Sequence, residues 1–326
     1  MRRREFLTAL AGAVTAWPRT ARAQHRKTPV VGVLFGGLSA TFGPQLSAFR
    51  GGLSEAGYVE GRNVAIEARF AEGDKNRLPA LAADLVAQRV DVIVPHANDA
   101  AVAANMATST IPIVFIVGSD PVKLGLVASL NRPGGNVTGI NLFIYELEAK
   151  RLGMLHEIVP KAGLIAVLLN PNSPEFENQF RAVEEAARTI GLKLQIERAS
   201  NERDFDAAFA AFAKQRVEAL LVGTDPYFLS ARAVILAAAA KYRIPAMYQL
   251  REFAQAGGLM SYGTSLTDAE QQLGAYVGRV LKGERAADLP VLQSTRFEFV
   301  INLKTAKALG IEVPPRLLVQ ADEVIE

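Results

Sequence analysis

The chain contains no cysteine, so disulfide bonds and thiol chemistry are excluded. It also lacks the phosphate-binding patterns GxGxxG and GxxxxGK[ST] and the GxSxG pattern of a nucleophilic serine, which makes an enzyme less expected. Its three histidines, His25, His96 and His156, are scattered, and no two have the spacing of metal ligands on one element. We therefore expect no catalytic residues, no metal and no cofactor.

Residues 1–23 have the pattern of a twin-arginine export signal. Three arginines at positions 2–4 precede a short, mostly apolar run from Leu7 to Ala16, and Ala21-Arg22-Ala23 provides a small-x-small cleavage site. The apolar run is too short to span a bilayer. A disordered basic tail is the alternative interpretation. Cleavage after Ala23 would place the protein in the periplasm, and without cysteine it would carry no lipid anchor.

Basic residues are in slight excess over the whole chain, but much of that excess lies in the predicted signal. Of 36 Lys and Arg and 33 Asp and Glu, five arginines and one glutamate lie in residues 1–23, which leaves 31 basic and 32 acidic residues. That balance does not favour nucleic acid as a partner. About 300 residues, half of them hydrophobic, favour a large core divided between two lobes.

The most informative stretch runs from Ile111 to Asn141. It opens with an apolar segment, predicted to be a buried strand of a parallel sheet, that leads into Gly118-Ser119-Asp120-Pro121. Asp120 is placed to cap a helix, Pro121 suits its first position, and the sequence predicts that helix over Val122 to Leu130. A second short strand follows a Pro- and Gly-rich turn.

The same arrangement, a predicted strand that leads into a polar turn, recurs in the second half of the chain. The apolar segment Ala219 to Val222 leads into Gly223-Thr224-Asp225-Pro226. Strand ends that meet polar turns are where open α/β sheets bind ligands. Two matched turns, one in each half, predict two similar lobes facing a shared ligand.

Strands and helices alternate along the chain, which predicts parallel sheets. The other predicted strands are Val30–Phe35, Val64–Phe70, Val90–Val94, Leu164–Leu169, Lys193–Arg198, Pro245–Tyr248, Gly258–Tyr262 and Phe297–Leu303. The other predicted helices are Gln45–Ala56, Asn76–Gln88, Ala100–Ala107, Tyr145–Ile158, Glu175–Ile190, Asp204–Gln215, Phe228–Tyr242, Thr267–Leu281 and Ala306–Leu309. We expect an α/β protein with two Rossmann-like lobes, sheets flanked by helices and a ligand cleft between the lobes. The expected lobes are residues 28–140 with 263–290, and 141–262 with 291–326.

Polar residues at the predicted strand ends are the candidate ligand-binding residues. They are Ser39, Thr41, Asn98, Asp99, Ala100, Ser119, Asp120, Asn141, Asn170, Ser173, Thr224, Asp225, Tyr248 and Tyr262. Backbone N–H groups at helix starts bind carboxylates, whereas Asp120 or Asp225 could bind an ammonium group. The alternatives are that each aspartate only caps a helix, and that the tyrosine rings only pack.

Three segments resemble one known family. Val114–Asn141, Arg251–Gly263 and Phe297–Glu326 are similar to the ABC transporter substrate-binding proteins of the tryptophan/tyrosine type, and the likeness extends from Val30 to Glu326. The resemblance implies a type I periplasmic-binding-protein fold. It also implies a ligand carboxylate held on backbone amides at Asn98 to Ala100 and at Ser119 and Asp120. Where many relatives have a small Thr-Pro turn, this chain has His-Ala-Asn-Asp at residues 96–99. Because of this departure, the resemblance does not identify the ligand.

These observations favour a monomeric periplasmic receptor. It would capture a small molecule, an amino acid or a related organic anion, by closure of the two lobes, and deliver it to the transmembrane subunits of an ABC permease. Two other hypotheses are an exported enzyme of doubly wound α/β fold, and a ligand-sensing module that docks on a membrane signalling protein.

Overall fold

The structure, a computed structural model, describes residues 28–326. The predicted export signal lies outside the described residues. The strands are β1 Val30–Phe35, β2 Ala65–Phe70, β3 Val92–His96, β4 Ile113–Val117, β5 Val137–Asn141, β6 Leu164–Leu169, β7 Lys193–Arg198, β8 Ala219–Val222, β9 Ala246–Tyr248, β10 Met260–Thr264, β11 Leu292–Gln293, β12 Phe297–Asn302 and β13 Glu323–Ile325. The α-helices are α1 Gly43–Glu55, α2 Leu78–Ala87, α3 Asn98–Ala107, α4 Glu148–Ile158, α5 Phe176–Ile190, α6 Glu202–Gln215, α7 Pro226–Ser230, α8 Arg232–Lys241, α9 Arg251–Gln255, α10 Leu266–Leu281, α11 Leu303–Leu309 and α12 Pro315–Gln320. None of these described helices combines the length and the hydropathy needed to cross a membrane.

The strands form two sheets, one in each lobe. The first sheet has the order β11-β5-β4-β3-β1-β2, and all its neighbouring strands are parallel. The second has the order β13-β12-β10-β9-β8-β6-β7, in which only β12 and β13 run against the other strands. Helices flank both sheets. The predicted α/β class with two lobes of mostly parallel strands is confirmed.

The apolar core continues from one lobe into the other. Strands β3 and β4 are buried along their whole length, as parallel strands covered on both faces should be. A single apolar cluster includes Val33 and Ile116 in the first sheet, Leu142 and Ile144 in the crossing segment, and Leu220 in the second sheet. The lobes are therefore in apolar contact at the base of the cleft.

Helix α10 returns the chain to the first lobe, where it packs closely against α1. Two glycines permit the approach. A Cβ atom on Gly52 would lie 1.8 Å from the carbonyl oxygen of Gln271, and one on Gly274 would lie 2.2 Å from that of Phe49. Only glycine leaves room for backbones this close. The first lobe is thereby completed by a segment that follows the second lobe in sequence.

The chain passes between the sheets three times, after Asn141, after Thr264 and after Gln293. These positions differ by a few residues from the expected lobe bounds. Strand pairing continues into the crossing segments, since Gly263 and Thr264 pair with β12, and β11 pairs with the end of β5. Residues 263 and 264 therefore belong to the second sheet, and residues 292 and 293 to the first.

The predicted helix over Val122 to Leu130 is wrong. These residues form a series of turns and bends. Gly125 has a φ of 70°, in the left-handed region that ends a right-handed helix. Its N–H donates to the carbonyl of Val122, and Leu126 and Val127 are buried. Asp120 therefore caps a turn, accepting the N–H of Val122 at 2.9 Å, and no helix begins there.

The other differences concern short elements. The helix predicted from Phe228 to Tyr242 is divided into α7 and α8 at Ala231, whose N–H bonds back to the carbonyl of Tyr227 at 2.8 Å. Helices α9 and α12 and strands β11 and β13 were not predicted. Each has six residues or fewer, too few to show a periodic pattern.

Candidate ligand-binding site

Two adjoining cavities lie between the lobes, where β3 and β8 end. The smaller, called the inner chamber, has a volume of about 110 Å³, and the larger, the outer cleft, about 460 Å³. A cavity that holds one water needs only about 10–15 Å³, so the inner chamber has room for a much larger group. Residues shared by the two linings are His96, Ala97, Asn98, Tyr145, Asp225 and Pro226. The cavities therefore form one continuous site.

The lining of the inner chamber is mostly apolar. Apolar side chains from both lobes line it, namely Phe35, Phe42, Ile116, Leu142, Ile144, Leu229, Leu250 and Leu266. The rings of Phe35 and Phe42 stack with centroids 4.6 Å apart, and His96 meets Phe42 edge-on at 4.9 Å. Such a lining favours the burial of a large apolar or aromatic group.

The carboxylate of Asp225 is buried where the two cavities join, with 7 % of the residue exposed. It accepts the N–H of Tyr227 at 2.8 Å and so caps α7. None of the ion pairs among residues 28–326 includes Asp225. Burial raises the pKa of its carboxyl, and a hydrogen bond from Asn170 opposes that rise. A buried carboxylate without a cation is costly, so this position would stabilise a cationic ligand group.

Acidic residues from both lobes influence the hydroxyl of Tyr145. Burial raises the pKa of its hydroxyl well above the ordinary value, and the charges of Asp225, Glu175 and Asp99 raise it further. Among the described residues that line the outer cleft, Lys75 is the one lysine or arginine, and its Nζ lies 3.9 Å from Asp99. Acidic groups from both lobes therefore disfavour a ligand that carries only negative charge.

The first turn of α3 gives the outer cleft a local positive character. Asn98, Asp99 and Ala100 line the cleft, and the preceding Ala97 has a φ of 75° and a ψ of 163°, a region populated mainly by glycine. The first N–H groups of a helix have no partner within it and carry partial positive charge. This turn is consequently suited to a carboxylate.

The side chain of Asn98 fixes the turn after β4. Its Oδ1 accepts the N–H groups of Gly118 at 3.2 Å and Ser119 at 3.3 Å, and its Nδ2 donates to the Ser119 hydroxyl. The N–H of Ser119 is therefore engaged within the protein. The same hydroxyl donates to Glu175, at the start of α5 on the other lobe, so this chain of hydrogen bonds joins the lobes.

A buried network holds the turn that carries Asp225. The hydroxyl of Thr224 accepts from Arg151 at 2.8 Å and donates to Glu148 at 3.0 Å. Arg151 is fully buried and also pairs with Glu148 at 2.8 Å and with the carbonyl of Tyr262 at 2.9 Å. Since its hydroxyl is occupied, Thr224 positions the turn in this structure.

The predicted site residues fall into two groups. Those that line a cavity are Asn98, Asp99, Ala100, Asn170, Ser173, Thr224 and Asp225. Those that line neither cavity are Ser39, Thr41, Ser119, Asp120, Asn141, Tyr248 and Tyr262. A ligand contact by the first group stays a prediction.

Two of the residues outside the cavities are tyrosines engaged in packing. Tyr248 is buried and stacks on Phe253 with centroids 4.8 Å apart. Tyr262 accepts a hydrogen bond of 2.7 Å from Lys150 through its hydroxyl. The tyrosine that lines both cavities is instead Tyr145, which follows the first crossing between the lobes.

Three of the polar residues outside the cavities, Thr41, Asp120 and Asn141, stabilise turns. Asp120 and Asn141 each accept the N–H two residues later, at 2.9 and 3.0 Å. The hydroxyl of Thr41 donates to a backbone carbonyl three residues earlier at 2.8 Å, and the N–H of Ser39 donates to a carboxylate at 3.3 Å. The local hydrogen bonds of Thr41 and Asp120 explain their polar side chains without a ligand. The bond at Ser39 is made by its backbone to Glu72, which is distant in sequence, so it does not account for the Ser39 side chain.

His96 and Glu270 form a buried pair in the inner chamber. The Nε2 atom of His96 lies 3.1 Å from the carboxylate of Glu270, and Nδ1 lies 3.3 Å from the carbonyl of Val94. Both ring nitrogens therefore have protein partners. No group of three or more acidic or histidine side chains within residues 28–326 is arranged to hold a metal ion.

Several lining residues were not predicted, chiefly Phe35, Phe42, Gln45, Tyr145, Gln249 and Glu270. Phe35 ends a predicted strand and Gln249 follows one, so the strand-end position that identified Asp225 also describes both of these residues. Glu270 lies within a predicted helix and carries no local signal. It reaches the site because α10 returns to the first lobe.

Two lobes enclosing a largely apolar cleft with a few charged groups define a protein that binds small molecules. The chain belongs to the family of ABC transporter substrate binding proteins, whose model matches residues 43–325. Members of this family bind substrates and are not enzymes, so the hypothesis of an exported enzyme is wrong. ABC substrate-binding proteins are typically extracytoplasmic.

Individual relatives agree with this assignment. The chain is similar to a tyrosine-binding protein of Clostridioides difficile (strain R20291), with 27% identity over 260 residues that cover 80% of this chain and 74% of the relative. It is similar to a conserved domain protein from Vibrio cholerae, with a TM-score of 0.83, 28% identity and coverage of 91% and 100%. It is also similar to an ABC domain from Streptococcus pneumonia in complex with L-Trp, with a TM-score of 0.82, 25% identity and coverage of 92% and 100%. The type I periplasmic-binding-protein fold is confirmed.

Proposed function

We propose that the protein binds an amino acid with a large aromatic side chain between its lobes and delivers it to an ABC permease. The observation that carries this proposal is the buried carboxylate of Asp225, which has no ion-pair partner among residues 28–326 and lies beside a mostly apolar chamber. The ligand ammonium would pair with Asp225, the carboxylate would bind the first turn of α3, and the side chain would fill the inner chamber. A relative named for tyrosine and another crystallised with L-Trp support this ligand class.

The test is isothermal titration calorimetry with tryptophan, tyrosine and phenylalanine on the wild type, Asp225→Asn and Asp120→Asn. Asp225→Asn should weaken binding by about 2–5 kcal/mol, because it leaves the ligand ammonium buried without a countercharge. Asp120→Asn is the matched control. Asp120 also precedes a proline and caps a turn, but it lies outside both cavities. Equal effects of the two substitutions on affinity would contradict the ammonium site.

We further propose that residues 1–23 direct export and are removed, so that the protein acts in the periplasm. The arginines, the apolar run and the small residues before Gln24 support this. Intact-mass analysis of protein from the periplasm should show a chain that begins at Gln24. A mature chain that retains Trp17 would contradict the proposal.

Delivery to a permease is tested by uptake. Bacteria that lack the gene should lose uptake of the radiolabelled amino acid at low concentration, and the wild-type gene should restore it. A gene carrying Asp225→Asn should not restore uptake, whereas one carrying Asp120→Asn should. Unaltered uptake in the deletion strain would contradict the transport role.

A further inference from the structure

Gln249 places an unpaired amide at the inner chamber. It follows β9 directly, it lines the chamber, and only 1 % of the residue is exposed. Neither its Oε1 nor its Nε2 has a hydrogen-bond partner among residues 28–326. Buried amides are nearly always hydrogen-bonded, because an unpaired one loses its contacts with water without replacement. Gln249 is therefore a candidate for a contact that a ligand completes.

The backbone at this position is fixed against the second sheet. A Cβ atom on Gly263 of β10 would lie 1.8 Å from the carbonyl oxygen of Gln249, so the two backbones are in direct contact. The flanking residues Tyr248 and Leu250 are buried as well. The chain around Gln249 is closely packed, which restricts any movement that could expose its amide to water.

A second unpaired amide oxygen lines the same chamber from the opposite lobe. Gln45 of α1 has no hydrogen-bond partner for its Oε1 among the described residues. The His96 and Glu270 side chains already pair with each other. The two glutamines thus stand out as polar groups with unused hydrogen-bonding capacity in a mostly apolar lining.

We propose that Gln249, with Gln45 lining the same chamber from the other lobe, determines specificity by bonding to a polar atom on the ligand side chain. An amide both donates and accepts, so it can pair with a phenolic hydroxyl or with an indole N–H. The favoured ligands are then amino acids with a large aromatic side chain that carries such a group, in preference to an all-carbon ring. This inference rests on the proposed function and concerns the choice among aromatic ligands.

The experiment compares dissociation constants for tyrosine, tryptophan and phenylalanine by calorimetry. The wild type should bind tyrosine or tryptophan about tenfold or more tightly than phenylalanine, because a site with buried polar groups rejects a ligand that leaves them unpaired. Gln249→Leu should remove that preference by weakening the polar ligand, with phenylalanine bound as well as or better than before. Gln249→Met, which preserves side-chain length, should do the same and provides a second variant if the first does not fold.

Tyr248→Phe is the matched control, because Tyr248 is a buried neighbour that lines neither cavity, and it should keep the wild-type ratio. A Gln249 variant that changes all three affinities by one factor, or none of them, would overturn the specificity role. A wild type that prefers phenylalanine would also overturn it. The proposed function would survive each of these results, whereas failure of the wild type to bind any of the three amino acids would overturn both.

Discussion

The charge of Asp225 has opposite consequences for binding and for stability. Its pKa is raised by burial above the ordinary value of 3.8 in the unliganded protein. Protonation removes the charge that a ligand ammonium needs. Affinity for the amino acid should therefore fall as the pH decreases through the raised pKa, and calorimetric titrations between about pH 4 and 7 should show the loss.

Stability of the unliganded protein should change in the other direction. A carboxyl whose pKa is higher in the folded than in the unfolded state favours folding as the pH falls through the folded value. Asp225→Asn should remove this contribution from urea unfolding curves. The same substitution at Asp204 serves as the control. The backbone N–H of Ser200 lowers the pKa of Asp204, so the stability that this carboxylate contributes is instead lost as the pH falls. The same pH profile for the wild type and Asp225→Asn would contradict this account.

Asp225 and Thr224 show which features of individual site residues could be predicted from the sequence. Asp225 was identified because it follows a strand and precedes a proline, and the structure places it at the junction of the cavities. Thr224 was identified by the same strand-end position, but its hydroxyl is hydrogen-bonded to Arg151 and Glu148. A strand-end position thus indicates the edge of the sheet. It does not show which side chains remain free, since that depends on partners distant in sequence.

At the scale of elements, strands were predicted more accurately than helices near the site. Strands Leu164–Leu169 and Lys193–Arg198 have the predicted bounds, because each is a compact run delimited by turn residues. The segment Val122 to Leu130 is apolar enough for a helix, yet Gly125 adopts a positive φ and its apolar residues are buried from within turns. Tertiary packing overrode helix propensity there.

The contact between the turn after β4 and the start of α5 provides a test at the same scale. The hydroxyl of Ser119 donates across the cleft to Glu175, and both residues are buried. Ser119→Ala removes the donor, so the unliganded protein should populate an open arrangement of the lobes. Every ligand should then bind more weakly by a common factor, about tenfold if the bond contributes about 1.5 kcal/mol.

Small-angle X-ray scattering of the unliganded variant should show a larger radius of gyration than that of the wild type. Ser129→Ala is the control, because that hydroxyl bonds to the carbonyl of Arg132 within the first lobe. If Ser119→Ala leaves both the radius and the affinities unaltered, the hydrogen bond does not contribute to closure.

At the scale of the whole molecule, the two-lobe architecture was predictable from alternating strands and helices, whereas the full composition of the site was not. The inner chamber combines residues from β1, α1, β3, the turn after β8, the end of β9 and α10. Sequence patterns locate each of these elements separately. Their convergence depends on the three passages of the chain between the sheets, which join segments distant in sequence.

The return of α10 to the first lobe has a consequence for the order in which the protein folds. During synthesis, residues 28–141 emerge first, yet their sheet lacks β11 and their helix α1 lacks its glycine-mediated partner until residues 266–293 are made. Strand β5 is an unpaired edge in that interval, and unpaired edges associate with other chains. Contacts between segments so far apart also slow folding. The nascent first lobe should therefore be prone to association with other chains until α10 and β11 have been made.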